Sequence, residues 1–197
     1  MMKTPPTFET KRLILKAITV EDIPSYTEYF VDDEVLQYLS DAVPYPYPEG
    51  GVEYYLNNVL WPGQGQDRWS WGIFLKENPT ELIGCIELYL KGKPENRAFW
   101  LGKKFWGQGI MTEAVEPIID FGFEVISDEL IFANAKENIG SARVKEKTGC
   151  TYYKTVPAKF INPDITETEL WRLKKSDWQL FKTGKETNFT QTRGEIQ

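Results

Sequence analysis

Trp100-Leu-Gly-Lys-Lys-Phe-Trp-Gly-Gln-Gly-Ile-Met-Thr-Glu113 is the stretch that decides how the rest of the chain is read. It opens on the end of an apolar run, Arg97-Ala-Phe-Trp-Leu-Gly102, of the kind that forms a buried strand. Gly107 and Gly109 follow within a few residues, and there the hydrophobic period changes. Met111, Val115, Ile118, Ile119, Gly122 and Ile126 recur at helical spacing and predict an amphipathic helix over 109–126. Pro117 falls early in that helix, where it removes one backbone bond or bends the axis. A strand, a glycine turn and a helix start bring several main-chain N–H groups to one point, and the helix start adds partial positive charge. Such a turn suits a phosphate or pyrophosphate, with Lys103 and Lys104 as nearby cations. The spacing is neither the three-glycine dinucleotide fingerprint nor a phosphate loop ending in Gly-Lys-Ser/Thr. Taken alone, these residues are equally consistent with a tight strand–helix turn.

Outward from this stretch the elements alternate. Residues 8–18 alternate apolar with polar or basic residues and read as a first strand, with Leu13, Leu15 and Ala17 facing one side. Thr19, followed by Glu21 and Asp22, caps a helix running to about Phe30, with Ile23, Tyr26 and Phe30 on one face. A short helix is expected near 33–39, then a break at the proline run 44–48, then a helix over 52–59. Strands over 69–75 and 82–90 should form a hairpin around a turn at 76–81 that contains Asn78-Pro79. Downstream come a strand at 129–135, a helix at 141–147 closed by Gly149, and strands at 151–156 and 169–174. The pattern describes an α/β (α+β) fold with one extended, mixed sheet. We expect a single domain over 8–181 and a polar, poorly ordered tail over 182–197.

Composition narrows the function. With 197 residues, 41% of them hydrophobic and 14% aromatic, the chain suits one compact domain rather than a disordered scaffold. Its net charge of −6 argues against general nucleic-acid binding and suits cationic or amine partners. Histidine is absent, which excludes His-dependent triads, general bases and metal sites. Cys85 and Cys150 cannot supply a zinc site or a disulfide framework and read as small core residues. No apolar run approaches a membrane span and the N-terminus lacks a signal-peptide core, so we expect a cytoplasmic protein without membrane partners.

Four segments carry a resemblance. Thr10-Lys-Arg-Leu-Ile-Leu-Lys16, Trp106-Gly-Gln-Gly-Ile-Met-Thr-Glu-Ala114, Asn138-Ile-Gly-Ser-Ala-Arg-Val-Lys-Glu-Lys-Thr-Gly149, and Leu170-Trp-Arg-Leu173 with Asp177-Trp178 are similar, in this order, to signatures of the GNAT N-acetyltransferase superfamily, in particular its RimJ/RimL-type branch. The resemblance implies a mostly antiparallel mixed sheet flanked by helices. It also implies acetyl-CoA as cosubstrate, no metal, and a monomer or homodimer. Main-chain N–H groups of the loop opened by Trp106, at Gly107, Gln108, Gly109, Ile110, Met111 and Thr112, would hold the CoA pyrophosphate. Phe99, Trp100, Leu101 and Gly102 would pair with the pantetheine arm like an added strand, one N–H facing the thioester oxygen. Asn138 would bond the pantetheine region, and Ser141 would lie near the sulfur. The acceptor would be a primary amine, a protein N-terminus or a small molecule, attacking the acetyl carbonyl directly.

The chain also departs from that pattern. Where the branch often places an acid ahead of Gly-Tyr-Trp, this sequence has Asn96-Arg97-Ala98-Phe99-Trp100, and Lys145 stands where other branches carry a tyrosine acid. Met111 occupies a position usually held by Gly or Ala. Glu87 is a candidate base, the alternative being a solvent-facing residue of an alternating strand. Ser141 is a candidate hydrogen-bond donor, the alternative being a helix cap. Tyr45, Tyr47, Trp69 and Trp71 are candidates for the acceptor mouth, and Glu21, Asp22, Asp32, Asp33 and Glu34 form either a solvated face or its rim. Two other functions fit the same residues: a CoA-binding module without turnover, and an interaction domain that docks through the Tyr-Pro run.

Overall fold

The computed structural model describes residues 3–91 and 93–194, with side chains described as far as Gly184. Among the described residues, eight strands form one sheet: β1 (Phe8–Glu9), β2 (Leu13–Lys16), β3 (Arg68–Leu75), β4 (Asn78–Tyr89), β5 (Arg97–Leu101), β6 (Glu129–Ala135), β7 (Thr151–Pro157) and β8 (Glu167–Lys174). Their order in the sheet is β1-β2-β3-β4-β5-β6-β8-β7. Every neighbouring pair is antiparallel except β5 and β6. The mixed, mostly antiparallel sheet flanked by helices is the one the resemblance implies.

The helices α1 (Ile23–Phe30), α2 (Asp33–Leu36), α3 (Gly51–Tyr55) and α4 (Trp61–Gly63) lie between β2 and β3, α3 and α4 being joined by a π-helical turn at Leu56–Leu60. The expected helix over 52–59 therefore extends four residues further, to Gly63. α5 (Ile110–Val125) follows β5, α6 (Ile139–Glu146) follows β6, and α7 (Lys175–Gly194) follows β8. The tail expected over 182–197 continues α7 as far as Gly194, and residues 195–197 lie outside the described residues. Among the described residues, no helix is long and apolar enough to cross a membrane.

Two corrections concern hairpins. The single strand expected over 8–18 is the hairpin of β1 and β2 around residues 10–12. The second strand of the β3–β4 hairpin starts earlier than expected. β4 begins at Asn78, so the connection is the two-residue turn Lys76–Glu77 and Asn78-Pro79 belongs to the strand. Leu75 still pairs with Asn78. Pro79 is tolerated there because it lies in the irregular stretch between the pairs Leu75–Asn78 and Phe74–Leu82, where it has no register partner on β3 and its missing N–H breaks no ladder bond to that strand.

The core lies on both faces of the sheet. On one face Tyr26 and Phe30 of α1 pack edge-on or tilted against Trp100, at centroid distances of 4.7 and 5.2 Å. On the other face Phe121 of α5 meets Trp71, Trp69 and Phe8 at 5.6 to 6.1 Å. Gly122 lets α5 approach the sheet closely, since a Cβ there would stand 3.0 Å from Leu130 Cδ1. Trp178 of α7 is buried and its indole N–H donates to Asp120 of α5 at 2.8 Å, so α7 is fixed to the same layer. Trp69 and Trp71, expected at the acceptor mouth, thus belong to the packing under α5. Alternation decided this, because β3 turns both indoles toward the helix that follows β5.

Candidate active site

β5 and β6 run parallel but share a single register pair, Arg97 with Phe132. Beyond it the two strands part and leave a forked cleft. Asn96 pins its base: its N–H donates to Ile131 O and its Oδ1 accepts from Ile131 N–H, both at 2.7 Å. The sequence marks Asn96 only as a missing acid; its role as the pin depends on a strand 35 residues away. The Gly102 N–H bonds Ile83 O on β4 at 2.9 Å. Antiparallel alternation then turns the main-chain groups of Phe99 and Leu101 away from β4, toward the cleft. Trp100 has its side chain in the α1 layer, and the Leu101 carbonyl is occupied by the Trp106 indole N–H at 2.7 Å.

The loop at the open end of the fork begins with the single turn Lys103–Phe105. Gly107 and Gly109 have φ of +74° and +73°, the left-handed region that side chains rarely adopt, and Gly109 is the N-cap of α5. The first turn of α5 leaves the N–H groups of Ile110, Met111 and Thr112 without intrahelical acceptors. A Cβ at Gly107 would meet nothing within 4 Å, so the main chain here is open to a ligand. These features fit a pyrophosphate. Lys103 and Lys104 do not serve it as expected: Lys103 pairs with Glu34, and Lys104 with Tyr29 and Glu81. Arg12 is the cation beside the loop instead, donating from Nη1 to Gln108 O at 3.0 Å.

Arg12 belongs to a staple between the β1–β2 turn and α5. Glu113 Oε2 accepts from Arg12 Nε at 2.7 Å, while Oε1 accepts from Arg12 N at 2.7 Å and Thr10 Oγ1 at 2.6 Å. Burial alone would raise the Glu113 carboxyl, but these donors outweigh it and hold it below the ordinary carboxylate range. The loop is thereby fixed to a turn about a hundred residues earlier in the chain.

α6 starts where β6 ends. Asn138 is its N-cap, its side chain accepting from Ser141 N–H at 2.9 Å. Ser141 is therefore not the cap. Its hydroxyl accepts a hydrogen bond from Lys145 Nζ at 2.9 Å, one turn further on. Both Ser141 and Lys145 are buried.

On the opposite face, Glu87 is 9% exposed rather than solvent-facing. Tyr55 Oη donates to its Oε1 at 2.6 Å, and Arg68 Nη1 donates to its Oε2 at 3.0 Å. Burial, then the Glu87 charge, pushes the Tyr55 phenol far above its ordinary range and keeps it protonated. Tyr55 also lines a cavity of about 360 Å³ with Pro44, Tyr47, Glu49, Gly51 and Tyr54. Tyr45 is half exposed and bonds Asp33 at 3.1 Å, while Tyr47 packs on Phe30. Among the acids read as one solvated face, Asp22 is buried and accepts from Thr19 N–H, and Asp32 caps α2. Cys85 and Cys150 are buried free thiols.

The model of the acetyltransferase (GNAT) domain matches residues 12–151. The uncharacterized N-acetyltransferase p20 of Bacillus licheniformis is 30% identical over 144 residues, covering 70% of this chain and 78% of that one. Among solved structures, the ribosomal-protein-S5-alanine acetyltransferase of Vibrio fischeri superimposes with a TM-score of 0.70 at 19% identity, over 88% of this chain and 99% of the other. The microcin C7 self-immunity acetyltransferase MccE, solved with acetyl-CoA and AMP, gives 0.68 at 13% identity, over 84% and 93%.

Proposed function

The chain belongs to the GNAT acetyltransferase family, and from that premise we propose that it transfers the acetyl group of acetyl-CoA to a primary amine by direct attack in a ternary complex. The acceptor is a protein N-terminus or a small-molecule amine, as in the RimJ/RimL-type branch. The fork between β5 and β6 is the observation that carries this reading, because it leaves a strand edge unpaired beside a helix N-terminus. The N–H groups of Gly107, Gln108, Gly109, Ile110, Met111 and Thr112 hold the pyrophosphate, and Arg12 sets the loop's position. Phe99 offers its main-chain groups and Leu101 its N–H to the pantetheine arm, and Gly102 closes that edge against β4. Asn138 caps α6 with its Oδ1 and keeps its amide N–H₂ for the same arm. The Ser141 hydroxyl faces the sulfur.

Glu87 is the carboxylate on the acceptor side. It draws a cationic amine toward the fork and accepts its proton through a water, while Tyr55 and Arg68 hold its two oxygens in place. The cavity beside Tyr55 admits the acceptor. Glu87→Gln is expected to lower turnover by at least about tenfold while leaving acetyl-CoA binding intact. Steady-state rates with a panel of amines check this, and unchanged turnover would remove Glu87 from the mechanism.

The reading as a whole is tested by thermal unfolding with acetyl-CoA, CoA and ATP. A ligand bound only by the native state adds roughly 2.7 kcal/mol at 100 times its dissociation constant. Stabilisation by acetyl-CoA and CoA but not ATP, with thiol release when an amine is added, is the expected result. No shift with either CoA species would end the proposal.

A further inference from the structure

Two cationic side chains are buried at the base of the fork, on the face that carries α5 and α6. Arg97 is 3% exposed and Lys145 is 1% exposed. Arg97 stands at the one register pair of β5 with β6, its guanidinium carbon 4.0 Å from the Phe132 ring centroid. Both of its Nη atoms are buried, and neither has a hydrogen-bond partner among the described residues. Lys145 Nζ donates to Ser141 Oγ at 2.9 Å and to Ser141 O at 3.3 Å. Each cationic head lies 5.5 Å from the centroid of Phe99, so at most twice that distance separates them. Buried cations are ordinarily paired with carboxylates. Among the described residues, no carboxylate forms an ion pair with either of these.

Buried guanidinium N–H groups without an acceptor call for an anion. Acetyl transfer generates one beside Ser141. We propose that Arg97 and Lys145, the latter acting through Ser141, hold the negative charge that collects on the CoA sulfur as the acetyl group leaves. The inference rests on the acetyl-transfer reading above. In that step the amine lone pair forms a C–N bond to the carbonyl carbon, and the C–S bond breaks with its electron pair going to sulfur. The surplus proton of the amine passes through water to Glu87 and on to solvent. The thiolate is balanced by the Arg97 cation and by the Ser141 hydroxyl. Because Lys145 donates to Ser141 Oγ, the hydroxyl proton is left to point at the sulfur. Lys145 touches Ser141 and not the substrate, so it is a positioning residue.

The charge balance around Lys145 agrees with this role. Burial first, and Arg97 of β5 second, disfavour its ammonium and hold it well below the ordinary lysine range. Cys150, which follows α6, and Glu169 of β8 act in the opposite direction. Burial also lowers Arg97, to about 10, which leaves it charged at neutral pH. A thiolate arriving beside Ser141 relieves the repulsion and favours the protonated lysine, so the two ionisations are coupled.

The test is the ionisation of bound CoA, read from the ultraviolet absorbance of the thiolate as pH is raised. Difference spectra against the free protein remove Cys85, and a Cys150→Ser background removes Cys150, whose thiol lies in the field of the same two cations. A free thiol ionises near about 8.5, and bound CoA is expected to ionise at lower pH. Lys145→Met, which keeps the volume, and Ser141→Ala are expected to return the bound thiol toward that value. Both should lower kcat by about tenfold or more while leaving KM for acetyl-CoA within about twofold. Bound CoA that titrates like free CoA in that background overturns the proposal, and that measurement requires no variant of Arg97, Lys145 or Ser141. Variants that titrate like that background overturn the part assigned to Lys145 and Ser141. A protein that forms no complex with CoA overturns the acetyl-transfer reading itself, and the two failures are told apart by whether a complex forms.

Discussion

Replacing Gly109 with glutamate is expected to weaken acetyl-CoA binding by at least about a hundredfold, equivalent to roughly 2.7 kcal/mol. Two effects combine. Gly109 sits at φ +73°, where a side chain costs roughly 1–2 kcal/mol of backbone strain. The new carboxylate would also stand beside the main-chain N–H groups at the head of α5 and repel the phosphates they are proposed to hold. A Cβ at this position meets only Arg12 Nη2, at 3.7 Å, so crowding by the protein is not the cause. Gly109→Ala separates the two effects, since it keeps the strain and omits the charge. It is expected to lose about five- to thirtyfold in affinity, less than the glutamate variant, the remainder being the charge. Calorimetric titration with CoA checks both. Glutamate at 109 with unchanged affinity would move the phosphate site elsewhere.

The second large effect concerns stability. Trp71→Ala is expected to destabilise the protein by about 3–5 kcal/mol. Trp71 is fully buried, contacts Phe8 and Phe121, and donates its indole N–H to Pro6 O at 2.7 Å. Its removal leaves a cavity beneath α5 and an unpaired carbonyl near the N-terminus. For a chain of this size each kcal/mol shifts the melting temperature by roughly 2–4 °C, so a fall of about 6–20 °C is expected by calorimetry. Because Phe121 is on α5, the same substitution should loosen the helix that presents the loop. Acetyl-CoA should therefore restore part of the lost stability. A variant melting within about 2 °C of the parent would show that the layer under α5 repacks around the gap.

Which parts were legible in the sequence follows from the range of the interactions. The strand β6 is read with its observed bounds, and β5 and α5 within one residue at each end, because alternation and the 3.6-residue period are local properties. Gly107 and Gly109 were legible for the same reason, since a positive φ is a demand on a single residue. The cap read as an alternative for Ser141 belongs to Asn138, because a cap depends on which residue starts the helix. Trp69 and Trp71 were misplaced because alternation gives two faces and does not say which one a later helix covers. Lys103 and Lys104 were assigned to the phosphate loop from proximity in sequence, whereas Glu34 and Glu81, 69 and 23 residues away, take their charges.

The sequence by itself therefore determined the elements, the glycine turn before α5 and the family, all of which reside in short segments. Only the tertiary structure decided where the sheet opens and what lines the opening. The fork depends on one register pair between strands separated by a helix, and Asn96 closes it through partners that no local pattern names. The pairing of Glu87 with Tyr55 and Arg68, and the meeting of Arg97 with Lys145 beside Phe99, have the same origin. Hydrogen bonds and charges act over a few ångströms, and which residues come that close is set by the packing of the whole domain.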